Sequence, residues 1–238
     1  MIGLGTAINI GLIIAGSLCG LVFGRFMKEN LKQTLMMVSG IIVLLLGMSG
    51  AMQYMLVIVN GTLQTTGPML MIISMVAGAV IGELIDLNRW ITVFGDWVKA
   101  KTGNTGDPQF THAFITASLT FTVGAMGVLG SIQDGLTGNY QTLLLKGILD
   151  GIIVMVMVSS MGKGALFSFT PVGITQWIIA AMAHIAAPLM TPSAIDNLSY
   201  VGSILIFCVG IDLIWPGKIR IANLLPAIFV AMGLTFLL

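Results

Sequence analysis

FTVGAMGVLGSIQDGLTGNYQTLLLKGILDG, Phe121 to Gly151, is the stretch around which the rest of the chain is organised. Long apolar runs flank it on both sides. Within it stand Asp134, Lys146 and Asp150, while Gly124, Gly127, Gly130 and Gly135 interrupt the helical pattern. A charge inside a membrane span costs roughly 2.5–3.5 kcal/mol on insertion scales, so it is rare and faces a partner or a water-filled cavity. Lys146 and Asp150 are four residues apart, one above the other on a helix face. Asp134 precedes them across a short turn containing Gly138 and Asn139.

The composition gives this stretch its setting. The chain has 238 residues, 57% of them hydrophobic and only 8% charged, with a mean hydropathy of +1.04. A soluble domain is about a quarter charged, so this is an integral membrane protein. A bilayer core about 30 Å thick takes about 20 apolar residues per helix, which allows up to about eight or nine spans. Thirty glycines suit close helix packing and broken helices. Seventeen methionines read as lipid-facing or gap-filling residues rather than copper ligands, because no Met cluster with His or Cys stands at a water-facing end. Cys19 and Cys208 fall in apolar runs and read as packing residues, not a disulfide. A net charge of +1 argues against a nucleic-acid partner. No clustered metal or cofactor motif is present, so no cofactor is expected.

Read in order, residues 1–238 form one all-α polytopic membrane domain. Eight spans are expected, at about 3–24, 31–59, 69–87, 110–132, 140–160, 171–190, 198–215 and 221–238. Residues 88–109 are too polar to span. Trp90, Phe94, Trp97 and Val98 recur there at helical spacing, the pattern of an amphipathic helix lying in the interface. Asn9 in the first span reads as an interhelical hydrogen-bonding residue or a ligand. Glu83, near the end of the third, reads as a functional carboxylate or one that snorkels to the interface. His184 in the sixth reads as a packing residue or a proton carrier. Asp212 lies one turn before the end of the seventh. In the fourth span the small residues fit either a close packing face or a broken helix near 124–135 that unwinds around 127–135, where Gln133 and Asp134 stand, and lines a cavity with its backbone at Gly124, Gly127, Gly130 and Gly135. Asp134, Lys146 and Asp150 are expected to converge in one polar cavity between spans four and five.

The basic residues test this division. Arg25, Lys28, Lys32, Arg89, Lys99, Lys101, Lys163, Lys218 and Arg220 all fall in or at the edge of the loops after spans one, three, five and seven. The even-numbered loops hold none, and Lys146 is inside a span. The positive-inside rule then sets both termini outside a bacterial inner membrane. An internal repeat is also legible: VSGIIVLLLG, Val38 to Gly47, resembles VGSILIFCVG, Val201 to Gly210, and IIAG at 13–16 resembles IIAA at 178–181. The offsets are nearly equal. Spans one to three would match spans six to eight in inverted orientation, around a central pair, as in many transporters.

The run 123–151, together with GLGTAIN at Gly3 to Asn9 and IGELIDL at Ile81 to Leu87, resembles the YqgA/YdfK-like family of uncharacterised bacterial inner-membrane proteins. The likeness covers the whole chain. It implies that Asn9, Glu83, Gln133, Asp134, Lys146 and Asp150 occupy the family's polar motif positions. Gly127 and Gly147 depart from it, where other small residues are commoner. The resemblance supplies no activity.

Four carboxylates in or beside spans (Glu83, Asp134, Asp150 and Asp212) stand against one lysine. The expected function is therefore a small secondary transporter or channel for a cation or small cationic solute, with the bilayer as its surroundings and a homo-oligomer as one state. The alternatives are a membrane enzyme with a Ser131–Lys146 dyad and a non-transporting assembly factor.

Overall fold

A computed structural model describes residues 3–122, 125–186 and 191–236, the side chains of Ala125, His184 and Ala186 excepted. The helices are α1 (Leu4–Arg25), α2 (Glu29–Met55), α3 (Pro68–Ile85), α4 (Leu87–Lys101), α5 (Phe110–Thr122), α6 (Ala125–Thr137) and α7 (Gln141–Met161). A 3-10 turn, Lys163–Ser168, leads into α8 (Phe169–Ala181) and the short α9 (Ala183–Ala186). The chain then forms α10 (Pro192–Ile214), α11 (Ile221–Leu224) and α12 (Pro226–Leu234). Among the described residues, six helical stretches are long and apolar enough to cross a bilayer: α1, α2, α3, α7, α10 and Lys163–Ala181. The α5 and α6 helices, bent 61° from each other, would make a seventh as one broken span, and Ile221–Leu234 is a shorter apolar stretch.

Glycine sets how these helices meet. A Cβ on Gly16 would lie 2.1 Å from the Gly151 carbonyl oxygen, and one on Gly20 would lie 2.4 Å from that of Met155. The contacts step the same way along both helices, so α1 and α7 run parallel with their backbones touching. The Ser159 hydroxyl donates to the Gly20 carbonyl at 3.0 Å across this seam. The α2 and α10 helices cross antiparallel, Gly47 on the Phe207 backbone and Gly210 on that of Leu44. The α3 helix runs antiparallel to α11 and α12, with Gly78 on Ala227 and Gly82 on Asn223. Small residues let backbones approach in this way, and van der Waals packing then replaces the hydrophobic effect as the attraction between helices in lipid. The core between the seams is apolar: Ile13, Val43, Phe121, Val154, Met157 and Leu213 are all buried.

Three expectations change. The second span stops at Met55, and residues 56–59 pair with 62–65 as a β-hairpin, β1 (Leu56–Val59) and β2 (Thr62–Thr65). Asn60 and Gly61, at φ 51° and 75°, form its two-residue turn. The run LVIV, β-branched at Val57, Ile58 and Val59, before Asn-Gly favours this over helix. Second, α6 is regular from Ala125 to Thr137. The predicted unwinding over 127–135 does not occur; the 61° bend separates α5 from α6 as two helices. Gly124 lies outside the described residues. The glycines of α6 pack instead: Gly130 on Leu143, and Gly135 on the Ala180 carbonyl. Third, the sixth span begins earlier than read, Phe169 opening α8 with Pro171 in its first turn, where proline is tolerated.

The amphipathic segment is α4. Phe94 and Val98 join Phe110 and Phe114 in a cluster, while Trp90, Val93 and Trp97 are exposed on its other side. Asp86, at φ 51°, makes the sharp joint between α3 and α4.

Candidate functional site

Lys146 and Asp150 form an ion pair inside α7. Their side chains are each only 9% exposed. The turn that sets their depth is well held: the Gln141 N–H donates to Asn139 Oδ1 at 3.1 Å, and the Thr142 hydroxyl donates to Gln133 Oε1 at 2.7 Å. Gln133 is thus an exposed clamp of the α6–α7 hairpin. The pair lines a cavity of about 340 Å³ bounded by α2, α5, α6, α7 and α10. Gly127 of α6 lines it too, the one part of the predicted glycine backbone that does so among the described residues. The wall is otherwise mainly apolar. The hydroxyls of Thr120, Ser199 and Ser203 donate to carbonyls of their own helices, and Gln53 and Tyr54 are its other polar members.

Asp134 does not join this cavity. It is fully buried, and its Oδ2 accepts the N–H groups of Gly5 at 3.0 Å and Thr6 at 3.4 Å. These are free donors in the first turn of α1, where the helix dipole favours a negative charge. Asp134 is therefore an N-cap supplied from another helix. The expected convergence of three charges is replaced by a pair and a separate carboxylate with its own partner. Asn9 lies fully buried against Gly147, within a turn of both members of the pair. Thr6 Oγ1, the Asn9 amide, Asp134 Oδ1 and Gln176 Oε1 are buried polar atoms with no hydrogen-bond partner among the described residues. The Ser131 hydroxyl donates to the Gly127 carbonyl at 2.6 Å and Lys146 is engaged by Asp150, so a Ser–Lys dyad is not formed.

A second polar region joins α5 to α10; the sequence pointed to Asp212 but not to its meeting with His112. Asp212 is buried, and its Oδ1 accepts the Gly217 N–H at 2.8 Å while Oδ2 lies 3.4 Å from His112 Nε2. Both line a cavity of about 390 Å³ with Thr116 and Arg220. No spacing rule connects residues a hundred positions apart. Glu83 pairs with Arg220 at 3.1 Å, both more than half exposed, which is the setting of an interfacial ion pair worth at most about 1 kcal/mol. The side chain of His184 lies outside the described residues. Among the described residues no group of three or more His, Cys, Asp or Glu side chains could hold a metal ion.

Long apolar helices packed through glycine, with a lysine–aspartate pair buried among them, define a mainly helical polytopic membrane protein. The chain belongs to the family described as Protein of unknown function (DUF554), whose model matches residues 4–236. It is 27% identical over 235 residues to the uncharacterized membrane protein YdfK of Bacillus subtilis (strain 168), covering 98% of this chain and 96% of that one. It is 24% identical over 240 residues to the uncharacterized protein YqgA of Escherichia coli (strain K12), covering 98% and 96%. No solved structure matches the chain.

Proposed function

We propose that the chain is a small secondary transporter or channel of the bacterial inner membrane, for a cation or small cationic solute. The observation that carries this reading is the buried Lys146–Asp150 pair on the wall of a cavity between helices. Buried ionic groups of this kind are costly and mark solute or ion paths. The unpartnered polar atoms of Thr6, Asn9, Asp134 and Gln176 support it, since each such atom calls for a solvating or ligand group. In the proposed cycle Asp150 exchanges Lys146 for the solute, and Asn9 lies near enough to take part.

Eight spans with both termini outside belong to the same proposal. The supporting facts are the one-sided distribution of basic residues and the directions of the helix pairs, parallel for α1 with α7 and antiparallel for α2 with α10. Each direction is the one that alternating passes through the membrane require. The inverted repeat also gains support. Gly47 and Gly210, like Leu44 and Phe207, are 163 positions apart, and each glycine rests on the other helix's residue of the second pair. A local two-fold at this crossing would exchange the two sequence-matched segments. Outward faces of α2 and α3 are apolar and exposed, which suits lipid or a second copy.

Flux into proteoliposomes holding the full chain tests the reading. The wild type should pass protons, Na⁺ or a small amine, and Lys146→Met with Asp150→Leu should be folded yet inactive. Undiminished flux in that double variant would leave the pair structural and shift the site to Glu83 and Asp212.

A further inference from the structure

The Lys146–Asp150 cavity is more selective than a simple attraction for cations. The pair has no net charge, and among the described residues its wall holds no other Asp, Glu, Lys, Arg or His. A bare cation that took Asp150 would leave the Lys146 ammonium buried without a counter-charge, which is the costly half of a broken ion pair. A solute with both an ammonium and a carboxylate leaves neither group bare. Its ammonium takes Asp150, and its carboxylate takes Lys146. Residues four apart on a helix have Cβ atoms about 5–6 Å apart, so the solute's two charges must lie within a few bonds of each other. Most of the remaining wall is apolar, with Val43, Leu46, Phe121, Met126, Leu149 and Ile153 among its members. About 340 Å³ is room for one small molecule.

We propose that this cavity binds a small zwitterion whose ammonium and carboxylate stand on one carbon beside an apolar side chain, the chemistry of an apolar α-amino acid. The inference rests on the transport reading above and replaces its cationic solute with a zwitterion. The hydroxyls of Ser199 and Ser203 donate to carbonyls of their own helix, so the side-chain end of the site offers mainly apolar contact, with Gln53 and Tyr54 as its other polar members.

Melting of the full-length protein in nanodiscs tests it. The probes are L-leucine, L-methionine and L-phenylalanine, with 3-methylbutylamine and 4-methylpentanoate as leucine's body bearing one charge only. At least one amino acid should raise the melting temperature by roughly 3–6 °C at about ten times its Kd, and the single-charge compounds should do markedly less. Leu149→Trp, which fills the cavity and leaves the pair intact, should abolish the shift. A shift from the amine equal to that from the amino acids would overturn the zwitterion and leave the cation reading standing. So would cation flux in proteoliposomes with no amino-acid shift. A shift that survives Leu149→Trp would put binding elsewhere and overturn the site. Absence of both shift and flux would overturn the transport reading itself.

Discussion

At the scale of single residues, the chemistry divides between two buried carboxylates with different partners. Asp150 balances Lys146 within one helix, whereas Asp134 balances the N-terminal dipole of another. Asp150→Asn should destabilise the protein by about 3–5 kcal/mol, because it strands the Lys146 ammonium in an apolar wall. Lys146→Met with Asp150→Leu should cost clearly less than either single change, since two apolar groups of similar volume replace the pair. Thermal unfolding of the purified single and double variants measures both; a double-variant loss equal to the sum of the two single losses would mean that the pair carries no coupling. The pair was legible in the sequence because i, i+4 spacing fixes its geometry locally. The partner of Asp134 was not, because it lies 129 residues away and is a backbone N–H that any residue could supply. His112 and Asp212 met for the same kind of non-local reason.

At the scale of elements, glycine does more than interrupt helices. A Cβ on Gly47 would stand 2.2 Å from the Phe207 backbone nitrogen, a neighbour that cannot rotate away. Gly47→Ala should therefore part α2 from α10 and cost roughly 1–3 kcal/mol or more through overpacking. Gly11, also inside a membrane helix, has nothing within 4 Å of its added Cβ. Gly11→Ala should be neutral or stabilise by up to about 1 kcal/mol, as an unhindered helical glycine does. Melting temperatures of the two variants, moving in opposite directions, check the contrast; a shared direction would refute the seam. This distinction explains what sequence reading could and could not recover at this level. Small-x-x-small spacing at 124–135 fits a seam and an unwound segment equally well, and only the neighbouring helices decide between them. The hairpin at 56–65 was hidden by hydropathy that runs on from α2, although Asn60–Gly61 between β-branched residues carried the signal.

At the scale of the whole molecule, the open quantity is how many times the chain crosses the membrane, and the shortest apolar stretch decides it. Ile221–Leu234 starts beside Gly82, at the C-terminal end of α3, where Asn223 meets that glycine. It ends near the N-terminal end of α10, where the Asn197 amide donates to the Thr235 hydroxyl at 2.8 Å. That end of α10 also receives the start of α3, because Tyr200 packs against Gly67. The stretch thus runs from one end of α3 to the other, although fourteen residues rise only about 21 Å. Such a path argues for an eighth crossing by a short, Pro226-broken helix. Three cysteine variants test it in a background lacking Cys19 and Cys208: Leu63→Cys in the hairpin, Thr105→Cys in the loop after α4, and Phe236→Cys at the far end. Leu63 and Phe236 are 67% and 57% exposed, so a membrane-impermeant maleimide can reach them if they face outward. In intact cells it should label positions 63 and 236, and label position 105 only after permeabilisation. Protection of position 236 beside labelling of position 63 would mean that Ile221–Leu234 turns back, which would remove one arm of the inverted repeat. Labelling of position 105 in intact cells would reverse the orientation read from the basic loops.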